Sequence, residues 1–451
     1  MSDCSSFGRL TLRTARLVNH SLLFSVTLSL ASCRSGGVAQ FTPPSRLYVA
    51  ALPVASAMTL NLTECLQVAL EHQPRLSVQR ASLAATEDGK RALESFRLAS
   101  ILDPQIPVRR RQARLGVIAS AARLDQAERE VVYSVTRTYC TVLYARAQER
   151  VAKSVVERLT ATHEAAERAL KAGARDIAAP DVHRAEVYLR LAETRRTQAT
   201  QGVKRALAAL REAIGLGPEV ALDIPAGGLP ELEARPEKGD VVAAAQVRRG
   251  ELIQAAIFAQ VTALEVEAQS TSLAMSFQTF AAGSDLHAQQ VLQGNHGTEY
   301  RPGAVPPEMP TLLVGSRAER IKHARTLQSR AEAMVETTRN LIVLEAEDAF
   351  LRWEEASTAA RQARAAADAG DKLADELTKD SNAGLKVKVE ELVTARVLAA
   401  QARSQYNEFL YKQIVALADL ERATAGGFCV GLVVPTDSRT QPRPHQEVGT
   451  K

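Results

Sequence analysis

Apolar residues recur along this chain at alternating steps of three and four over long stretches. Leu66, Ala69, Leu70, Leu76 and Leu83 form one helical stripe, with Thr63 as its expected N-cap and Pro74 bending or interrupting it. No proline occurs from about Arg111 to Ala172, where Val135, Tyr139 and Val142, then Val151, Val155, Leu159, Ala166 and Leu170, continue a seam. A helix of about 60 residues would be about 90 Å long. Gly173 and Pro180 break it. A second helix is predicted from Asp181, the expected N-cap, to Ile214, with Val203, Leu207, Leu210 and Ile214 in coiled-coil rhythm. Gly215 to Pro218 stop it.

The same plan returns. Arg317 to about Ser381 is again proline-free, Asn382 to Gly384 break it, and Leu385 to about Thr424 carries Tyr406, Leu410, Ile414 and Leu417 on one stripe. Leu76 aligns with Leu252 at an offset of 176 (252 − 76), whereas Tyr139 with Phe350 (350 − 139) and Gly173 with Gly384 (384 − 173) align at 211. The chain therefore holds two copies of helix, insert, long helix, break and long helix. The second insert, 275–315, reads as strand and loop. The first, about 96–110, contains Pro104 and Pro107 and is 35 residues shorter (211 − 176). The expected fold is mainly α: long antiparallel coiled-coil hairpins in two tandem repeats, with short or degenerate β inserts. Helices this long must pack against one another to bury their seams.

Composition fits. Aromatics are 4% of 451 residues while hydrophobic residues reach 46%, much of it alanine, which permits close helix approach. The two ends supply three of the five net positive charges, so the body carries no basic field for nucleic acid. Arg9, Arg13 and Arg16 followed by the apolar stretch Leu22–Ala31 read as a signal peptide over 1–32. Leu30-Ala31-Ser32-Cys33 resembles a lipobox, which would make Cys33 the lipidated first residue; an ordinary secretory signal is the alternative. Residues 33–57 then form a tether, 58–217 the first repeat, 218–240 a linker, 241–425 the second repeat and 426–451 a disordered tail. No run of 18 apolar residues occurs.

Several short motifs stand in a telling order: Leu60-Asn61-Leu62-Thr63-Glu64-Cys65-Leu66 with Pro74-Arg75-Leu76, Ala213-Ile214-Gly215-Leu216, Leu222-Asp223-Ile224 with Leu229-Pro230, Arg248-Arg249-Gly250-Glu251-Leu252, and Leu313-Val314-Gly315-Ser316-Arg317. With the duplication, they resemble the outer-membrane efflux factor family of the TolC type over residues 58–425. The resemblance implies a homotrimer. Each protomer would give four strands to a shared outer-membrane barrel and its long helices to a tunnel across the periplasm, with the linker as an equatorial belt. It implies a passive exit duct for tripartite efflux or type I secretion, located in the outer membrane. Its partners would be a periplasmic adaptor, an inner-membrane pump and outer-membrane lipid. A membrane strand needs about 9–11 residues, and the first insert has no room for two. A lipid-anchored periplasmic scaffold without a pore is therefore the second reading.

The candidate site is the pair of hairpin tips, which in this family narrow the tunnel and meet the adaptor. Gly173 and Gly384 match the tip glycines. Asp176, Asp181, Glu390 and Glu391 are candidates for a carboxylate constriction, although Asp181 reads first as a helix cap and Lys386 and Lys388 would offset the charge. Arg109-Arg110-Arg111 flanks a helix start or faces lipid phosphates. The eight histidines, His287 and His296 included, make no ligand set, and no nucleotide or hydrolase motif occurs. Neither cofactor nor catalysis is expected. Tyr133, Tyr139, Tyr144, Phe350 and Trp353 read as core.

Overall fold

The computed structural model describes residues 58–95, 104–174, 177–232, 235–271, 315–382 and 387–426. In chain order these form β1 (Met58–Thr59), α1 (Leu62–His72), α2 (Pro74–Ser95), α3 (Ile106–Lys171), α4 (Ala179–Ala213), β2 (Leu222–Asp223), α5 (Lys238–Arg248), α6 (Gly250–Thr271), α7 (Arg317–Asn382) and α8 (Val389–Ala423). The duplication holds element by element. Helices of 11, 22, 66 and 35 residues in the first copy are followed by helices of 11, 22, 66 and 35 in the second. The signal peptide, Cys33 and the tether, the second insert up to residue 314 and the tail from 427 lie outside the described residues.

The helix starts differ from the sequence expectation where a better cap was available. Asn61, not Thr63, caps α1. Its side chain accepts from Glu64 N at 2.9 Å while the Glu64 carboxylate accepts from Asn61 N at 2.8 Å, a reciprocal pair that Thr63 has no acid to match. Of the two expectations for Pro74, interruption is the one observed: it divides two helices, because it lacks the N–H that a continuous helix would need. Pro107 sits in the first turn of α3, where that missing N–H costs nothing. Residues 106–110, expected in the insert, are therefore helical. The only strands among the described residues, β1 and β2, pair in parallel, with Met58 N donating to Ala221 O at 2.8 Å and Leu60 N to Asp223 O at 3.0 Å.

Packing follows from the seams. The first half of α3 lies against α2 and α6, and its second half against α4 and α8. α7 packs on α8, α6 and α5. Alanine makes the α7–α8 approach possible. Ala356, Ala360, Ala363, Ala367 and Ala374 are buried along α7, as are Ala395 and Ala399 along α8. With Gly370 the α7 positions alternate in steps of four and three, a coiled-coil seam of very small side chains. At Gly370 a Cβ would stand 3.0 Å from the Ala399 Cα. Tyr133 is buried, and Tyr139, Phe350 and Trp353 pack half-buried against the core; Tyr144, also half-buried, stacks on Tyr411 at 5.0 Å between centroids, and Phe350 meets Trp353 at 5.9 Å.

The two copies also share a joint. In the first, Gln73 between α1 and α2 donates through Nε2 to Ala213 O at 2.8 Å, at the end of α4. In the second, Arg249 between α5 and α6 donates through Nη1 to Ala423 O at 3.1 Å, at the end of α8. Both α4 and α8 finish with a left-handed residue, Gly215 at φ 79° and Ala425 at φ 54°. Ala425 stores backbone strain of roughly 1–2 kcal/mol that glycine would avoid. At Gly215 there is no space for a methyl, since a Cβ would meet Gln73 Cα at 2.9 Å.

Two outcomes are expected in denaturant titrations of the full chain. Ala425→Gly should stabilise by about 1 kcal/mol, whereas Gly215→Ala should destabilise by about 1–3 kcal/mol; equal effects at the two sites would contradict the strain assignment. Gly370→Val should separate α7 from α8 and lower Tm by several degrees, and an unchanged melting curve would remove the close-approach argument.

Candidate functional site

The first hairpin tip is built by a helix that must stop. Gly173 takes φ 74° and donates to Leu170 O at 3.1 Å, while Ala174 N reaches Ala169 O at 3.1 Å. A Cβ on Gly173 would meet nothing within 4 Å, so the glycine answers to backbone conformation and not to space. Asp181 is not the N-cap expected from sequence. That residue is the extended Ala178, and Asp181 lies in the first turn, accepting from Ala178 N at 3.0 Å. Ala179 and Pro180 fill the positions between, which sets the cap three residues earlier. Asp176 and Gly384 lie outside the described residues. Glu390, in the first turn of α8, is ion-paired with Arg184 of α4, so it links the second tip to the first hairpin. Glu391 is exposed.

Above the tips Arg396 ties three helices together. It donates to Arg158 O at 2.6 Å and to Thr162 Oγ1 on α3, and to Thr378 Oγ1 on α7 at 3.3 Å. Burial and the neighbouring Arg158 both lower its pKa from the usual guanidinium value. Further up, the linker is held by Arg146, which pairs with Asp223 and donates to Ile224 O at 2.8 Å. Glu231 accepts from the Tyr406 hydroxyl and from Arg364, both at 2.8 Å.

The densest charge cluster was not legible as such in the sequence. Arg249, Arg422 and Glu345 are 1%, 4% and 3% exposed at the point where α3, α6, α7 and α8 meet. Glu345 lies 2.8 Å from Arg249 and 2.7 Å from Arg422 through its two oxygens. Glu251 holds Arg249 in a two-point grip at 2.7 and 3.0 Å. Asp419 accepts from Arg422 at 2.8 Å, Glu130 of α3 accepts at 3.2 Å, and the Tyr133 ring stands 5.5 Å from the guanidinium. Burial alone would raise the Glu251 pKa, but Arg249 overcomes it and holds the carboxyl below its ordinary value. Burial opposes the Arg422 charge too, and Asp419, Glu345 and Glu130 outweigh it. Arg249 had appeared only as part of a motif. A signal was available in the alignment of copies, which sets it opposite the neutral Gln73.

A second polar chain closes the insert end. Arg109 pairs with Glu265, which also accepts from Gln112 at 3.1 Å and Gln269 at 2.6 Å, and Gln269 accepts in turn from Arg320 at 3.0 Å. Arg111 pairs with Glu267, and Arg110 donates to Leu93 O at 3.1 Å. This corrects the lipid-facing reading of Arg109 and Arg111: acids on α6 were in reach once α3 began at Ile106. Among the described residues no His, Cys, Asp and Glu group could hold a metal ion. Burial pushes the Cys65 and Cys140 thiols up to about 12, away from the thiolate form. No described helix is long and apolar enough to cross a membrane.

No protein-family model matches the sequence, and no curated protein matches it. Solved structures do. The outer-membrane channel OprN superposes with a TM-score of 0.65 at 17% identity, over 81% of this chain and 90% of that one. This chain has the fold of an outer-membrane channel protomer. The open state of the MtrE outer membrane channel from Neisseria gonorrhoeae gives 0.63 at 15% identity, over 81% and 89%. The outer membrane protein VceC from Vibrio cholerae gives 0.62 at 14%, over 81% and 96%. The channel fold agrees with the tandem-hairpin architecture expected from the seams.

The charge cluster makes two outcomes testable. Glu345→Gln should leave two buried guanidinium groups short of a carboxylate and cost about 3–5 kcal/mol in urea unfolding; a loss under about 1 kcal/mol would show that the cluster is not structural. Because the folded-state pKa of Glu251 lies below its unfolded value, its contribution is complete above the ordinary carboxylate pKa of 4.5 and fades as pH falls through the folded value. Wild-type stability should therefore drop below about pH 4.5 more steeply than that of Glu251→Gln. Parallel pH profiles would exclude the linkage.

Proposed function

We propose that this chain is one protomer of a trimeric exit duct in the outer membrane, a passive, non-enzymatic conduit for cargo from an inner-membrane pump engaged through a periplasmic adaptor. The observation that carries this reading is an unclosed layer. In the second half of the hairpins the helices run in the order α4, α3, α8, α7, and α4 has no seam with α7. Both edge helices expose apolar side chains, Val187 and Leu191 on α4 and Leu344, Leu351 and Leu373 on α7, as α8 between them does at Leu398. Copies arranged head to tail would cover each edge with the other and close a ring. The likeness to outer-membrane channels supports the same assembly. In it the tips, with Gly173, Asp176, Asp181, Gly384, Glu390 and Glu391, form the adaptor-facing end. The inserts face the membrane, and acylated Cys33 adds an anchor.

A second reading has its own observation. Only ten residues, 96–105, separate α2 from α3, too few for two membrane strands of about 9–11 residues each. A lipid-anchored scaffold without a pore fits that length. Electrical recording separates the two: purified protein in a planar bilayer should give stepwise conductance if it is a duct, and none if it is a scaffold. Native mass spectrometry of envelope extracts should find a trimer with one acyl adduct per chain. Leu191→Glu with Leu351→Glu should convert the trimer to monomer. A trimer that survives both changes would displace the proposed edges.

A further inference from the structure

The duplication sets three cations of one copy opposite three of the other, and two of the second three meet no carboxylate among the described residues. The fourth, sixth and ninth residues of α3 are Arg109, Arg111 and Arg114; those of α7 are Arg320, Lys322 and Arg325. In the first copy each meets a carboxylate: Arg109 with Glu265, Arg111 with Glu267, and Arg114 with Glu94 at 3.4 Å. In the second, Arg320 is buried against Gln269. Lys322 and Arg325 are exposed, meet no carboxylate among the described residues, and share a shallow groove with Ala318, Ile321, Thr326 and Ser329. Charge along α7 is strongly uneven. Residues 317–330 hold five Lys or Arg and one Glu, whereas 331–382 hold twelve Asp or Glu and six Lys or Arg.

The acids that served the first copy have no counterparts in the second. Glu94 is residue 21 of α2, and residue 21 of α6 is Ser270. Glu267 and Glu265 are residues 18 and 16 of α6. The same places in α2 are Arg91 and Gly89. In the ring proposed above, on which this inference rests, α2 of the next copy takes the place beside α7 that α6 takes beside α3. It would bring Arg91 towards Lys322, not an acid. At these equivalent positions a neighbouring copy therefore offers this face no acid.

We propose that the face of α7 bearing Lys322 and Arg325 binds the phosphate of an anionic lipid headgroup. The site follows directly on the second insert, at the end of the protomer that faces the membrane in the proposed duct. A phosphodiester offers the oxygens that two cations one turn apart can share.

The test uses the full-length protein in mild detergent, titrated with phosphatidylglycerol or phosphatidylcholine and followed by native mass spectrometry. The wild type should retain phosphatidylglycerol preferentially. Lys322→Gln with Arg325→Gln should reduce that preference tenfold or more at low salt, with the trimer mass unchanged. Arg111→Gln with Arg114→Gln, whose partners lie within the chain, should leave it intact. A wild type without preference, an unchanged preference in the Lys322/Arg325 double variant, or an equal loss of both lipids would overturn the site. Loss of trimer in that variant would overturn it too, because the face would then be a contact between copies. Bilayer recording of the same preparation keeps the questions apart: absence of conductance with intact lipid preference would count against the duct and not against the headgroup site.

Discussion

A guanidinium taken out of water must find a carboxylate, and Glu345 supplies one to two guanidinium groups at once. Arg249 arrives from the break between α5 and α6, Arg422 from the last turn of α8, and Glu345 from the middle of α7. Glu130 brings α3 into the same cluster. Alanine seams give attraction without much discrimination, since one small side chain resembles the next and a slip by a heptad loses little. Buried charges discriminate, because a displaced partner leaves a charge uncompensated at a cost of several kcal/mol. The cluster thus fixes the height at which four helices meet, and the long seams run away from it in both directions.

The two copies solve the same mechanical problem with different chemistry. Each has a short helix, a one-residue break, and a side chain that turns back to the last carbonyls of the returning helix. Gln73 does this without charge, and a glycine gives it room. Arg249 does it with charge, and so needs Glu345 and Glu251, while Ser134 stands in α3 where Glu345 stands in α7. The chain is symmetric in backbone and asymmetric in electrostatics. Any response to acid or salt is accordingly expected to begin in the second copy.

Much of the architecture was legible because it rests on periodicity. The seams through Val151–Leu170 and Leu410–Leu417, the glycine stops and the offsets of 176 and 211 carry the tandem hairpins without further information. Helix starts were less legible. Asn61 and Thr63 are both competent caps, and only Glu64 three residues after Asn61 decides between them. Pro107 reads as part of the insert because its tolerance in a first turn depends on where the turn begins. The candidate site was legible least. The tip carboxylates are visible as residue types, but the pairing of Glu390 with Arg184 joins positions 206 residues apart (390 − 184). Nothing in local pattern marks Arg249, Glu345 and Arg422 as neighbours.

Helix lengths of 11, 22, 66 and 35 repeated without a residue's difference carry an evolutionary consequence. Losing one residue inside α7 would turn everything beyond it by about 100° and shorten it by about 1.5 Å, moving Ala356–Ala374 off the seam while α3 stayed in place. Gene-level insertions and deletions in the long helices are therefore nearly forbidden, unless they come in whole heptads and in both copies together. Drift in length is confined to the connections, and there the copies do differ, by the 35 residues that separate one insert from the other. The chain keeps time in its helices and varies only between the beats.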